Sequence, residues 1–459
     1  MRDPQGRLGR TNNSSRSPCE QKWEKCLLAV ILFQCIAIIV VFEQLKLNHG
    51  QEVETTVSND GQKIITGGLE DRPLPFSFSA CLMIKDNNVL LPEWLAYHYT
   101  FLPLRRLIVV IDPLSHTDPK PIFDAYGSIG MNISIWTDDL FWVDGGNDYE
   151  KLNFQITNET VHEDLRHRSR YRQKVFYKSC MQQLHDEKRS WTLFIDTDEY
   201  FVFNHYDEKE GPPTWCKKNV TCAQDYEKSI VDGSHIRAQL DRSPSATVAE
   251  HLVKHGADRH FDNIDKPCII YGRYLFVSKE SSRREIQRGV DSEFNATLFH
   301  TLRYRHRAPL STYQLGKPIV DVSRYDGSDV PNPHRILGNL CTGYNAYVHN
   351  GLLSFRVHHY IGSWETFRQP GFDRRGKAFF EKRNNVQNLV IDDTTPRYSP
   401  SGNSTWLSQF VILVGKEKAV ELTQNTRVRE QLEMDKLVME MGKGEQLYDW
   451  DKLNKKPGI

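Results

Sequence analysis

Residues 191–200 read Trp-Thr-Leu-Phe-Ile-Asp-Thr-Asp-Glu-Tyr, an apolar run that stops at two carboxylates, Asp196 and Asp198. An apolar stretch of this kind suits a strand buried on both faces of a parallel sheet, where inward and outward positions need not alternate. Ligands of open α/β sheets bind at the carboxyl ends of such strands, where this acidic cluster falls. Carboxylates are hard oxygen ligands, and Mg²⁺ or Mn²⁺ bridges them to substrate phosphates. The pattern points to a metal-dependent enzyme acting on a phosphorylated donor. A solvated acidic turn is the plain alternative.

The chain on either side alternates between strand and helix patterns. Ser79–Lys85 reads as a strand. Leu91–Tyr99 follows as a helix, with Pro92 in its first turn and Leu91, Trp94, Leu95 and His98 at helical spacing. Arg106–Asp112 is a second strand, Asp118–Tyr126 a short helix and Asn132–Trp136 a third strand, before an amphipathic stretch at about Asp164–Glu187. This order predicts an α/β fold built on a doubly wound sheet with helices on both faces. Right-handed crossovers then place Lys85-Asp86, Asp112 and Asp196 along one rim. Residues 139–160 and 204–265 interrupt the rhythm, and the second, with Gly211-Pro212-Pro213 and many charges, reads as an insertion. Strand-like runs return at Cys268–Ser278, Leu298–Tyr304 and Leu352–Tyr360, and Arg303, Arg305 and Arg307 alternate as on a strand. A mostly helical stretch spans about Thr405–Met441, with Trp406, Phe410, Leu413 and Val414 on one face.

The amino-terminal end sets topology. Residues 27–42 carry no charge, and twelve of them are Leu, Ile, Val or Phe. At about 0.3–0.6 kcal/mol each, these favour insertion by roughly 4–7 kcal/mol. At 1.5 Å per residue the span is about 24 Å, suited to thin early-secretory membranes. Glu43-Gln44-Leu45-Lys46 offers no small-residue cleavage site, which favours an uncleaved anchor over a signal peptide. Arg2, Arg7, Arg10, Arg16, Lys22 and Lys25 precede the span against Asp3, Glu20 and Glu24, so the positive-inside rule leaves the amino terminus in the cytosol. The expected organisation is a cytosolic tail at 1–25 and a signal anchor at 26–42, then a stem at 43–75. A catalytic domain at 76–400 and a helical extension at 401–459 complete it. Sequons at Asn132, Asn158, Asn219, Asn295 and Asn403 lie beyond the span, while those at Asn12 and Asn13 precede it and would be cytosolic and unused. Cys81, Cys180, Cys216, Cys222, Cys268 and Cys341 also lie beyond it, an even set suited to an oxidising lumen. The formal net charge is zero, which gives no reason to expect a nucleic-acid partner.

Three sets of residues together resemble glycosyltransferase family 92, a group of type II membrane enzymes with a GT-A type fold. They are Ala80–Asp86 with Leu91–Tyr99, then Leu193–Tyr200, and later Val357-His-His-Tyr360 with Ser363-Trp-Glu365, in family order over about residues 78–380. The resemblance is to a divergent branch. It implies a Golgi glycosyltransferase that uses Mn²⁺ or Mg²⁺ and a nucleotide-sugar donor, with UDP-galactose the family default. Transfer to a glycan or glycoconjugate acceptor would invert the anomeric carbon. It also implies that Asp198 holds the metal, with Asp196 acting directly or through the ribose and a water. His359 is the expected third ligand, with His358 its alternative. Glu365 is the expected general base, against Asp321, Asp373, Glu199 and a capping role at its own helix. Lys85, Asp86 and Asp112 are expected at the nucleotide, and one of the three arginines near the diphosphate. A haloacid-dehalogenase type phosphatase fits poorly, because Tyr200 stands where that class needs Thr or Val. The competing class is a catalytically silent lumenal glycan-binding or scaffold protein on the same fold. Phosphosugar transfer also stays open.

Overall fold

In chain order the strands are β1 (Phe78–Ile84), β2 (Leu104–Ile111), β3 (Asn132–Trp136), β4 (Trp191–Leu193), β5 (Glu199–Phe203), β6 (Cys268–Tyr271) and β7 (Arg273–Phe276). They continue as β8 (His306–Arg307), β9 (Lys317–Asp321), β10 (Val330–Asn332), β11 (Arg335–Leu337), β12 (Phe355–Tyr360) and β13 (Val390–Ile391). The computed structural model describes residues 77–112, 115–137, 161–203, 268–309, 316–328, 330–337, 340, 355–367, 376–392 and 405–426. For some of these, Glu365 among them, only the backbone is described. The tail, the apolar span, the stem, the 204–265 insertion, Asp373, Cys216, Cys222 and Cys341 lie outside the described residues. Among the described residues no helix is long and apolar enough to cross a membrane.

The strands form a mixed α/β structure with two mixed sheets. One has the order β3-β2-β1-β4-β9-β6 and the other β13-β8-β7-β12-β5, while β10 and β11 pair as a hairpin. In the first sheet β1 pairs parallel with β2 and β4, and β2 with β3. β9 runs antiparallel to both β4 and β6. In the second sheet β12 is parallel to β7 and antiparallel to β5. The chain passes directly from a strand of the first sheet to a strand of the second at Phe194–Asp198, between β4 and β5, and at Gly272, between β6 and β7. The apolar run at Trp191 is therefore a short strand, β4, followed by a crossover in which Phe194, Ile195 and Thr197 are buried, rather than one strand reaching Asp196.

Side chains alternate across β1 and β2 into two cores. Ala80, Leu82, Ile84, Leu107 and Val109 pack with Leu95, Phe123 and Tyr126 of the helices Leu91–Phe101 and Lys120–Gly127. Cys81, Ile108 and Val110 face the other way, toward Phe176, Tyr177, Cys180 and Met181 of the helix Val161–Asp186. With both faces covered, these strands need no polar alternation, which is why they read as continuous apolar runs. Cys81 and Cys180 are joined in a disulfide across that second core. Cys268 is also disulfide-bonded, to a cysteine outside the described residues.

Two sequence expectations change here. Leu298–Tyr304 is not a strand but a 3-10 turn, Ala296–Leu298, followed by the short helix His300–Arg303. The cause is tertiary. The buried Glu93 carboxylate accepts from the backbone N–H groups of His300 and Thr301 and from Thr301 Oγ1, each at 2.8 Å. It thereby satisfies first-turn amides that a helix leaves unpaired. Arg303 therefore sits on a helix and Arg307 in β8, so the three arginines do not alternate on one strand. In the helix Trp406–Val414 the buried stripe runs through Trp406, Leu407 and Phe410, while Leu413 lies at its edge and is 54% exposed. Gln409 is buried on the same side as Leu413, so Leu413 is exposed by its place in the last turn and not by its angle about the axis. Trp406 Nε1 donates to Thr301 Oγ1 at 2.9 Å, which ties this helix to the Glu93-capped turn.

His98 links the first helix to β5. Its Nδ1–H donates to the Trp94 carbonyl (2.9 Å), so Nε2 is the acceptor that meets the Phe201 N–H at 3.4 Å. The ring is thus neutral, and burial holds its pKa down to about 3, outweighing the bond to Trp94 that favours the proton. The unfolded chain binds this proton near pH 6.5 and the folded chain does not. Stability is therefore full above that pH and falls as pH drops from about 6.5 toward about 3, by up to about 1.4 kcal/mol per pH unit. A His98→Gln variant should flatten that slope in urea melts run at a series of pH values. Replacing both Cys81 and Cys180 with Ala should lower unfolding free energy by about 2–4 kcal/mol, read from the urea midpoint at constant slope.

Candidate metal centre at the junction of the two sheets

Parallel pairing brings the ends of β1, β2 and β4 to one edge of the first sheet, so Lys85-Asp86, Asp112 and the acidic crossover share a rim. Asn87 Nδ2 donates to Thr197 Oγ1 at 2.9 Å, and the Lys85 N–H donates to Asn87 Oδ1 at 2.7 Å, tying the end of β1 to the crossover. Asp86 has a φ of 52° and is buried. Its Oδ1 accepts from the N–H groups of His116 and Thr117 and from Thr117 Oγ1. Its Oδ2 is buried without a partner among the described residues, an orphan acceptor of the kind a ligand hydroxyl or N–H satisfies. Asp112 pairs with Arg172 at 3.3 Å, and Arg172 also donates to the Ile111 carbonyl.

The crossover is held as a tight turn. The Glu199 N–H donates to the Asp196 carbonyl at 3.0 Å, and the Asp196 N–H donates to Glu199 Oε2 at 2.9 Å. Beneath it lie two cations. Arg273 Nη1, from β7, is 2.8 Å from Glu199 Oε1. Lys317 Nζ, from the start of β9, is 2.8 Å from Glu199 Oε2 and 2.6 Å from Asp196 Oδ2. Because β9 runs against β4, its first residue lies at the end where β4 finishes. Gly316 makes the approach possible, since a Cβ there would meet Ile270 Cγ2 at 2.5 Å and the Tyr271 carbonyl at 2.7 Å. Burial opposes charge on Glu199, but Lys317 and Arg273 outweigh it and hold the carboxyl well below its usual range. Burial likewise pulls Lys317 down, yet Asp196 and Glu199 keep it above an ordinary lysine.

Asp198 stands apart from that cluster. Its Oδ2 is 3.1 Å from His359 Nε2, and its carbonyl accepts from the Tyr360 N–H at 2.9 Å. The antiparallel register of β5 and β12 places His359 opposite Glu199, which delivers a residue 161 positions away to the turn. Burial lowers the His359 pKa, against the pull of Asp198, so the ring is neutral at neutral pH. Asp198, Glu199 and His359 offer ligand atoms within 4.8 Å of one another. Glu199 is a poor member of that trio, because its oxygens already accept from Arg273, Lys317 and the Asp196 N–H. Asp198 and His359 fit a cation better. Their spacing of 3.1 Å is close to the edge of an octahedron with bonds of about 2.1 Å, which is about 3.0 Å. A carboxylate oxygen beside an imidazole nitrogen suits Mn²⁺.

The remaining expected residues sort as follows. His358 points to the opposite face of β12, fully buried, where its Nε2 accepts from Arg356 Nε at 2.7 Å, so His359 is the histidine at the rim. Asp321 lies opposite Trp191, at the far end of β4 from Asp196, and its Oδ1 accepts from Ser323, which removes it as a base at this site. Glu199 is removed by its cations. Glu365 sits in the helix Trp364–Phe367, whose first turn is capped by Ser363 Oγ accepting from the Thr366 N–H at 3.2 Å. Just before that cap, Gly362 has a φ of 65°, and a Cβ on it would meet His300 Cε1 at 2.7 Å. Arg307 is committed to buried Asp392 and Arg303 to Glu280. Sequence reasoning missed Lys317 and Arg273. Their only signal was a cation heading each of two apolar strands. No family model, curated protein or solved structure matches this chain.

Replacing Glu199 with Gln leaves Lys317 and Arg273 short of a buried counter-charge. It should cost about 3–5 kcal/mol of stability, measured as a lowered urea midpoint relative to wild type.

Proposed function

We propose that this chain is a metal-dependent glycosyltransferase with a GT-A type fold, related to glycosyltransferase family 92. In this reading it moves a sugar from a nucleotide donor, UDP-galactose being the first to try, onto a glycan or glycoconjugate with inversion. The observation that carries the reading is the pair of Asp198 and His359, a carboxylate and a neutral imidazole 3.1 Å apart beside the carboxyl end of a parallel strand. Such a rim is where open α/β sheets take nucleotides. A divalent cation held by those two side chains stabilises negative charge on a leaving diphosphate. The orphaned Asp86 Oδ2 supports a nucleoside beside the end of β1, where it meets a ribose hydroxyl or a base N–H. Lys85 and Asp112, on the same rim, complete that side of the proposed donor site. Glu365 is the proposed base, taking the acceptor hydroxyl proton, on the helix that follows β12.

The proposed setting is the Golgi lumen, with the 26–42 segment as a type II anchor. The Cys81–Cys180 disulfide supports an oxidising compartment. Asn132 and Asn295 are both exposed, as acceptors of N-glycans must be. A silent glycan-binding role is the second reading. It is favoured by one observation: Asp196 and Glu199 are already neutralised by protein cations.

A screen of nucleotide sugars by thermal shift with Mn²⁺ should find one that raises the melting temperature, since a ligand of the native state stabilises it. With that donor, Asp198→Ala should cut Mn²⁺-dependent hydrolysis or transfer by about 10²–10³-fold while leaving the melting temperature of the free protein nearly unchanged. Full activity in that variant removes the metal assignment. Turnover absent in the wild type with every donor supports the silent reading.

A further inference from the structure

We propose that Lys317 is a positioning residue that withholds Asp196 and Glu199 from the cation, so that among the described residues the site offers a divalent ion only Asp198 and His359. The ion is then bound chiefly together with an anionic diphosphate rather than by the protein alone. This rests on the metal-dependent reading above and assigns the charge balance of that same site.

Lys317 is fully buried, and its ammonium lies within 2.8 Å of one oxygen from each of two carboxylates. Both contacts are short, as expected for bonds in which both partners are charged. Arg273 takes the other oxygen of Glu199 at 2.8 Å. Within this group two carboxylates face two cations and cancel. Asp198 adds one negative charge, and an imidazole that ligates a metal does so in its uncharged form. A divalent ion on Asp198 and His359 therefore meets one unit of negative charge from the group, far short of its own two. Two protein ligands also leave most positions of an octahedral ion open, and Mg²⁺-like ions fill such positions with waters and substrate phosphates. Diphosphate oxygens supply the missing charge and ligands together. Without Lys317, Asp196 would lose its cation and Glu199 would keep only Arg273 and the Asp196 N–H, so more uncompensated carboxylate charge would lie beside the ion.

The test measures Mn²⁺ binding to the full chain in detergent, by calorimetry and by the EPR signal of free Mn²⁺, with and without UDP. Wild type should bind Mn²⁺ weakly alone and at least about ten-fold more tightly with UDP, a coupling of ordinary size. Asp196→Asn should leave Mn²⁺ affinity in the presence of UDP within about two-fold, whereas Asp198→Asn should weaken it by at least about ten-fold. Lys317→Met, by removing the cation of Asp196 and leaving Glu199 with Arg273 alone, should tighten binding of Mn²⁺ alone by about ten-fold, because ligand charge sets affinity for hard cations. Equal losses in Asp196→Asn and Asp198→Asn overturn the inference and leave the metal-dependent reading standing. So does tight Mn²⁺ binding to wild type without UDP. Absence of Mn²⁺ binding in wild type under both conditions overturns the metal-dependent reading itself. If Lys317→Met does not fold, judged by circular dichroism, the two aspartate variants decide the matter alone.

Discussion

A carboxylate with no access to water, Glu199, holds the two halves of this structure in register. It begins β5 in the second sheet, and its partner Lys317 begins β9 in the first. Arg273, at the start of β7, approaches from the second sheet again. Both sheets therefore meet at one charge cluster, and the direct passages from β4 to β5 and from β6 to β7 lie beside it. Burying such charges is costly unless each is paired with good geometry, so the cluster tolerates few arrangements. Its value lies in specifying one arrangement of the turn rather than in adding net stability. The intolerance to a side chain at Gly316 has the same origin, because β9 must run hard against Tyr271 for the lysine to reach the turn.

Once that turn is fixed, its side chains separate by chemistry. Asp196 and Glu199 face protein cations, and Asp198 faces a histidine delivered by β12. Three acidic groups within four residues would repel one another if left alone, and here each has its own partner. Under the proposed reading, charge that a diphosphate substrate supplies need not be built into the protein.

Much of the first sheet was legible in the chain itself. Asn132–Trp136 is a strand over those same residues, and the helices near 91–101, 120–127 and 161–186 follow the apolar spacing. Parallel pairing then placed Asp86, Asp112 and the acidic turn at one rim, as the crossover rule requires. What sequence did not reveal arises from contacts distant along the chain. Leu298–Tyr304 has a strand-like composition, but Glu93 caps its amides and turns it into a helix. Lys317 looks like an ordinary strand-edge lysine until β9 is seen running against β4. His358 and His359 are indistinguishable in the sequence, and only the register with β5 separates them. Asp321 seemed a fair rival base because strand direction, which sends it to the wrong end of the sheet, cannot be read from its neighbours.

The contact between Gly362 and the His300 ring joins two regions with different duties. His300 starts the turn whose amides are held by Glu93 on the first helix, and Gly362 leads into the cap before Glu365. The imidazole thus acts as a spacer of fixed width between the scaffold and the segment that carries the acid. A side chain at 362 would therefore need a smaller group at 300, whose backbone Glu93 holds in turn.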